Sequence, residues 1–132
     1  MKKYLSLAVV FAMLSLMHAQ EIKSDVLLHT VKVLAADSLE GRGFGSEGNV
    51  KARKFMVAQF KALGISPAFS EGYLQEFEHK VPKGPLHGSH GKGERPKGSR
   101  MVLGANVVAK VEGKSEKTIV ITGHIDHLGI IN

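Results

Sequence analysis

The chain has 132 residues, of which 43% are hydrophobic, with no cysteine and a formal net charge of +6. The absence of cysteine excludes disulfides, thiolate zinc sites, a cysteine nucleophile and a lipid-bearing N-terminal cysteine, so any metal ligand must be His, Asp or Glu. The positive charge is local, because the segment between His79 and Met101 holds six basic residues against the single acid Glu94.

Residues 1–19, "MKKYLSLAVVFAMLSLMHA", predict an exported protein. Lys2 and Lys3 precede a mostly apolar run, which is the layout of a secretory signal peptide with cleavage after Ala19. The run has fourteen residues, whereas a helix needs roughly 20 to cross a bilayer, so no stable membrane anchor is expected. Residues 20–132 would then belong to one small domain in a secreted or periplasmic protein.

Two helices are predicted next. The first starts at Ser24, extends to about Ala36 and has a face expected to be buried, formed by Leu27, Thr30, Val31 and Leu34. The second is capped by Ser46 and stopped by Gly64. Its buried face is expected to comprise Ala52, Phe55, Met56, Phe60 and Leu63. Its solvated side is expected to comprise Lys51, Arg53, Lys54 and Lys61.

The segment "DSLEGRGFGSEGN" between these helices is rich in glycine and polar residues. Its part "GFGSEG", at residues 43–48, matches the phosphate-binding pattern G-x-G-x-x-G. That pattern requires a preceding strand inside a βαβ unit, and here the preceding element is a predicted helix. A flexible turn is therefore favoured over nucleotide binding.

Strands are predicted in the second half of the chain. Residues 73–81, "YLQEFEHKV", alternate in the manner of a short, partly exposed strand. Further strands are predicted from Ala105 in "ANVVAKVEG" and at residues 117–126 in "KTIVITGHID". The last is apolar on both faces and is expected to lie inside a sheet covered on both sides. Helices followed by strands predict an α/β or α+β layer structure.

Residues 82–101 form a segment rich in Gly, Lys and Pro that is predicted to be a flexible basic loop. His87 and His90 within it could catch a metal ion only adventitiously. Its positive charge could attract nucleic acid or an acidic surface. Because the loop has no interleaved aromatic residues to stack on bases, no nucleic acid partner is expected.

The motif "GHIDHLG" presents residues with metal-binding chemistry at the end of the last predicted strand. Residues two apart in extended backbone share a side, so His124 and Asp126 should converge, whereas His127 projects the other way and is not the predicted ligand. A carboxylate beside a metal-binding histidine fixes the orientation of the ring. The same pair can equally be a histidine hydrogen-bonded at the edge of the core, and the motif by itself leaves both interpretations open.

Taken in order, "LAADSLEGRGFGSEGNVKARKFMVAQFKALGISP", "YLQEF", "NVVAKVEG" and "IVITGHIDHLG" resemble the start of the secreted zinc exopeptidases of metallopeptidase family 28, mostly aminopeptidases. The resemblance covers most of residues 26–129 except the basic loop. It implies an α/β domain with a mixed central β-sheet flanked by helices. It also implies a two-zinc site in which His124 is a ligand and Asp126 is the adjacent, non-ligating carboxylate. A water activated by two zinc ions would hydrolyse the N-terminal bond of a peptide or protein substrate.

The sequence departs from that family in its set of acidic residues. Asp126 is the only acid after Thr118, so no residue matches the bridging aspartate, the paired glutamates or the further acidic ligand that the resemblance implies. The second histidine ligand also has no counterpart, and the earlier acids Glu40 and Glu47 match none of the missing motifs. We therefore expect residues 20–132 to be the N-terminal portion of such a catalytic domain, inactive by itself.

Two alternatives stay open. Proteins with the same fold include glutaminyl cyclases, which are enzymes of another class, and receptor ectodomains that bind without cleaving. A small exported module that binds a polyanion or an acidic membrane surface through the basic loop ranks lower, because the family resemblance skips that loop. The sequence gives no indication of the oligomeric state.

The expected incompleteness of the site can be checked on the gene. We expect the reading frame to continue beyond codon 132 into a segment that supplies the missing aspartate, paired glutamates and histidine. Sequencing the transcript across that codon is the measurement. A frame that continues into an unrelated domain would contradict the family resemblance.

Overall fold

The computed structural model describes residues 23–83 and 98–130. The predicted signal peptide at 1–19 and the interior of the basic loop, with His87 and His90, lie outside these ranges. The chain divides into two units between Lys32 and Val33. Within the described ranges, helices are combined with small antiparallel sheets, and no helix there is long and apolar enough to cross a membrane.

The first helix, α1, spans Ser24–Leu34, close to its predicted bounds. Asp25 in its first turn and Lys32 in its last turn carry the charges that suit the helix dipole. The predicted buried face is wrong, because no residue of α1 is buried and Leu27 and Val31 are 54% and 63% exposed. Periodicity determines which side chains share a face, but it does not determine whether another element covers that face.

The second helix, α2, spans Glu47–Ala62 and begins and ends as its sequence predicts. The Ser46 hydroxyl accepts a hydrogen bond from the backbone N–H of Asn49 over 3.1 Å and caps the first turn. After the last turn, Gly64 takes a positive φ of 68°, which a residue without Cβ adopts at no steric cost. Both end signals are therefore confirmed.

Which residues of α2 are buried depends on the elements that pack against the helix and not on the apolar pattern of the helix itself. Ala52 is fully buried, and Phe55, Met56 and Phe60 are half-buried as predicted. Two predictions are wrong, since Leu63 is 68% exposed and Arg53 is buried. The first half of α2 packs against a short 3-10 segment, Asp37–Arg42, and against strand β3 described below. Arg53 lies in the covered half, and Leu63 lies past it.

The strands form two separate two-stranded antiparallel sheets. Strand β1, Ser66–Pro67, pairs with β4, Ala109–Lys110. Strand β2, Leu74–Pro82, pairs along its full length with β3, Ser99–Val107. The strand predicted at residues 73–81 is thus confirmed with a shift of one residue.

Strand β3 starts earlier than the sequence predicts, at Ser99 instead of Ala105, so the last residues of the predicted loop belong to the ladder. Gly104 interrupts the apolar pattern of this strand and conceals it in the sequence. The glycine leaves room for the ring of Phe44, which a Cβ at this position would overlap in its present place. The space that Phe44 occupies at Gly104 therefore weakens the sequence pattern that would otherwise predict this strand.

Residues 117–126, the predicted buried central strand, belong to no strand of the described structure. Ile119, Val120 and Ile121 are 89%, 76% and 93% exposed. A buried strand needs neighbours that pair with its backbone and layers that cover its faces. Among the described residues no strand pairs with this segment, so its apolar side chains remain in water and the prediction is wrong here.

A small core lies between α2, the 3-10 segment and the β2–β3 sheet. Its buried apolar side chains are Leu39, Ala52, Val81 and Val102. Phe44 extends this core, because its ring stacks on Phe77 at a centroid distance of 6.0 Å and meets the edge of His79. The loop that carries Phe44 is therefore fixed to the sheet.

The close packing of α2 on the 3-10 segment gives a test with a defined sign. A methyl group at Gly48 would overlap the backbone carbonyl of Leu39, which should lower the free energy of unfolding by roughly 1–3 kcal/mol. Helix propensity alone predicts the reverse, a gain of about 1 kcal/mol for Gly48→Ala. Urea denaturation measures the difference.

Gly113→Ala is the control, because a Cβ at Gly113 meets nothing within 4 Å. We expect it to change stability by less than about 0.5 kcal/mol. Stabilisation by Gly48→Ala would show that α2 does not pack on Leu39 in this way.

Candidate functional site

His124 and Asp126 lie together, as their spacing predicts. The Nδ1 atom of His124 is 2.9 Å from the backbone oxygen of Asp126 and 3.8 Å from its carboxylate Oδ1. A carbonyl oxygen can only accept a hydrogen bond, so Nδ1 carries the proton in this contact. In a neutral imidazole Nε2 then has the free lone pair, which is the form that binds a metal ion.

The surroundings of His124 limit what these residues can do alone. The side chains of His124 and Asp126 are 82% and 50% exposed, so the ring is accessible but not enclosed. Within residues 23–83 and 98–130, no group of three or more His, Cys, Asp or Glu side chains is placed to hold a metal ion. His124 therefore fits the role of a single zinc ligand, and the described residues do not form a complete zinc site.

His127 contributes its backbone to this region. Its N–H donates to the carbonyl of Arg42 over 3.0 Å, and the N–H of Gly129 donates to the carbonyl of Gly41 over 3.0 Å. Gly43 and His127 form a parallel bridge between the two segments. Residues 124–129, called the histidine segment from here on, thus dock on residues 39–45, called the glycine-arginine loop.

The glycines of this loop allow the docking. A Cβ on Gly41 would lie 2.6 Å from the carbonyl oxygen of Gly129, and a Cβ on Gly43 would lie 3.0 Å from its Cα. Gly41 also has a φ of 61°, a conformation that glycine adopts without strain. The sequence predicts a flexible turn at residues 43–48, whereas the structure packs Gly43 against another segment of backbone.

Arg42 connects the loop to both sides of Asp126. Its Nε donates to the carbonyl of Ile125 over 2.9 Å, and its Nη1 donates to the carbonyl of Leu34. Its own carbonyl accepts the N–H of His127. This arginine belongs to the motif that carries the family resemblance, but the sequence alone predicts no role for it. The sequence feature that could have indicated a role is a bulky charged residue, Arg42, placed between Gly41 and Gly43.

The backbone of the loop is strained at two positions. Glu40 and Arg42 both have a φ of 51°, in the left-handed region that costs a non-glycine residue about 1–2 kcal/mol. Hydrogen bonds from a charged group contribute roughly 1.5–3 kcal/mol each. The hydrogen bonds of the Arg42 guanidinium are therefore large enough to offset the strain in the backbone that carries them.

A separate shallow cavity of about 530 Å³ lies beside the start of β2. It is lined by Phe69, Glu71, Tyr73, Leu74, Gln75 and Glu76. Hydrogen bonds from its own backbone N–H and from the Ser70 hydroxyl lower the pKa of Glu71. The cavity shares no lining residue with the glycine-arginine loop or the histidine segment, so it is not part of the candidate site.

Comparison of the chain with protein-family models, curated proteins and solved structures gives no match. Any function assigned to the chain therefore depends on its own residues, their geometry and the resemblance of its motifs.

The docking can be tested with two glycines that share a backbone conformation. Gly41 and Gly64 have φ values of 61° and 68°, but a Cβ on Gly64 meets nothing within 4 Å. Both alanine variants carry the same strain, and only Gly41→Ala should displace the histidine segment. We expect the amide protons of His127 and Gly129 to exchange at least about tenfold faster in Gly41→Ala than in Gly64→Ala.

Hydrogen exchange followed by NMR measures both amides in each variant. Equal exchange rates for the two variants would show that the loop does not hold the histidine segment.

Proposed function

We propose that this chain is part of an exported zinc-dependent aminopeptidase of the metallopeptidase family 28 type. In this proposal His124 is one zinc ligand and Asp126 is the carboxylate that supports it. The observation that carries the proposal is the docking of the glycine-arginine loop on the histidine segment. The two motifs behind the resemblance are far apart in sequence, since Ile125 lies 83 positions after Arg42, and they are in contact in the fold.

The geometry around His124 supports its role as a ligand. Metal-binding histidines commonly donate their second ring N–H to a carboxylate or a backbone carbonyl. His124 makes this contact with the carbonyl of Asp126, and the carboxylate of Asp126 lies close by. If zinc were held by His124 together with further ligands, it would act as a Lewis acid and lower the pKa of a bound water, which could then attack a peptide carbonyl near neutral pH.

Residues 117–122, just before His124, are exposed and form no strand in the described part of the chain. The proposed fold, a mixed sheet flanked by helices, would require this apolar segment to be covered. Burying a Val or Ile side chain contributes about 1.5–3 kcal/mol, so Ile119, Val120 and Ile121 strongly favour being covered. The proposal assigns that cover, and the remaining zinc ligands, to residues other than those described here. Export would follow from the predicted signal peptide.

A zinc titration of the 132-residue chain tests the ligand assignment. We expect added zinc to shift the backbone amide resonances of residues 124–127 in NMR spectra, and His124→Gln to abolish that response. His127→Gln is the matched control, because it removes a neighbouring imidazole that the proposal leaves outside the site. A zinc response that depends on His127 instead would overturn the assignment.

The 132-residue chain with added zinc also tests whether the chain hydrolyses peptides. Because His124 is the only residue of the printed sequence that matches a zinc ligand of the family, the chain should release no amino acid from peptide substrates when zinc is added. Zinc-dependent turnover that His124→Gln abolishes would contradict the expected incomplete site.

A further inference from the structure

We infer that Arg42 is a positioning residue, which holds Asp126 in the orientation that leaves Nε2 of His124 free to bind a metal ion. The identity of that metal as zinc rests on the proposed function. The orientation itself rests on three hydrogen bonds of the described structure.

The first step concerns the peptide group between Asp126 and His127. A trans peptide is planar, and its N–H and C=O point in opposite directions. The N–H of His127 is held by the carbonyl of Arg42 over 3.0 Å. Holding this N–H therefore directs the carbonyl of Asp126 away from the glycine-arginine loop. That carbonyl is the group that meets Nδ1 of His124.

The second step concerns the preceding peptide group, between Ile125 and Asp126. Its carbonyl accepts the hydrogen bond from Nε of Arg42 over 2.9 Å. Arg42 thus holds one peptide group with its side chain and the next with its backbone. Because both peptide groups of Asp126 are held, its carbonyl has little freedom to turn away from His124.

The third step concerns why the residue at position 42 is an arginine and not a lysine. The guanidinium is a planar fork whose donors point in fixed directions, whereas a lysine ammonium is a single point charge. Nη1 of Arg42 contacts the carbonyl of Leu34 while Nε binds that of Ile125. The contact with Leu34 fixes the plane of the guanidinium, so Nε is directed at Ile125. A lysine at this position could reach one of the two carbonyls.

The consequence for His124 is a particular tautomer. A histidine whose Nδ1 donates to a carbonyl carries its proton on Nδ1 and presents a bare Nε2. Loss of the Arg42 side chain would free the peptide group between Ile125 and Asp126. Only the bond from the His127 N–H to the backbone carbonyl of Arg42 would then hold Asp126, so its carbonyl would be held less firmly against the ring. A residue that only stabilised the fold would not change this tautomer while the core remained intact.

Long-range ¹⁵N NMR of the imidazole tests this directly in the 132-residue chain without metal. At about pH 9, where histidine side chains are ordinarily neutral, we expect His124 to be mainly the Nδ1–H tautomer. Arg42→Gln should lower the ratio of Nδ1–H to Nε2–H by about fivefold, the effect of losing one typical hydrogen bond. Arg42→Lys should not restore it, because one donor cannot hold both carbonyls.

Lys51→Gln is the matched control. Lys51 also donates from a cationic side chain to a backbone carbonyl of the same region, that of Ser38 over 3.2 Å, and that bond involves no residue of the histidine segment. It should leave the tautomer ratio unchanged. Amide protection at Val81 and Val102, which belong to the core, reports whether each variant is folded.

Gly129→Ala provides a second route if Arg42→Gln does not fold. It leaves the Arg42 side chain in place but brings a Cβ within 3.3 Å of the Gly43 Cα at a φ of 77°, so it should loosen the docking and shift the tautomer in the same direction.

An unchanged ratio in a folded Arg42→Gln or Gly129→Ala variant would overturn the inference, and so would full recovery in Arg42→Lys. A shifted ratio together with a failed zinc titration would retain Arg42 as a positioning residue and remove the zinc assignment.

Discussion

The backbone contact between the glycine-arginine loop and the histidine segment is the constraint on which the rest of the structure depends. Two backbone segments can approach this closely only where no Cβ lies between them, which is why Gly41 and Gly43 face Gly129. Phe44 follows directly and stacks on Phe77 of strand β2. A few residues thus connect the histidine segment, the helix α2 that follows the loop and the β2–β3 sheet.

This contact also accounts for the strain in the loop. Left-handed backbone at Glu40 and Arg42 is unfavourable by itself, and such conformations persist where surrounding contacts over-determine them. Here the surrounding contacts are hydrogen bonds of Arg42. Its guanidinium donates to the carbonyls of Leu34 and Ile125, and its own carbonyl accepts the N–H of His127. The strain and the hydrogen bonds therefore belong to one arrangement, in which the chain reverses direction and presents Arg42 to the histidine segment.

Local features of the fold could be predicted from the sequence, and features that depend on distant partners could not. The ends of α2 are determined by Ser46 and Gly64, which act within one turn of the helix, so both were predictable. The burial of Arg53 depends on the 3-10 segment that covers that half of the helix, and no local pattern encodes it. Strand β3 was partly concealed because Gly104 makes room for Phe44.

For the candidate site too, local features could be predicted from the sequence and features that depend on distant partners could not. The pairing of His124 with Asp126 follows from a spacing of two residues, so it was predictable from the motif. The role inferred for Arg42 depends on a carbonyl 83 positions away and on glycines that contribute no side chain. Contacts between backbones leave no periodicity in a sequence. Gly43 belongs both to this docking and to the apparent match to a phosphate-binding pattern. The other two glycines of that match, Gly45 and Gly48, lie close to Val102 and Leu39 instead.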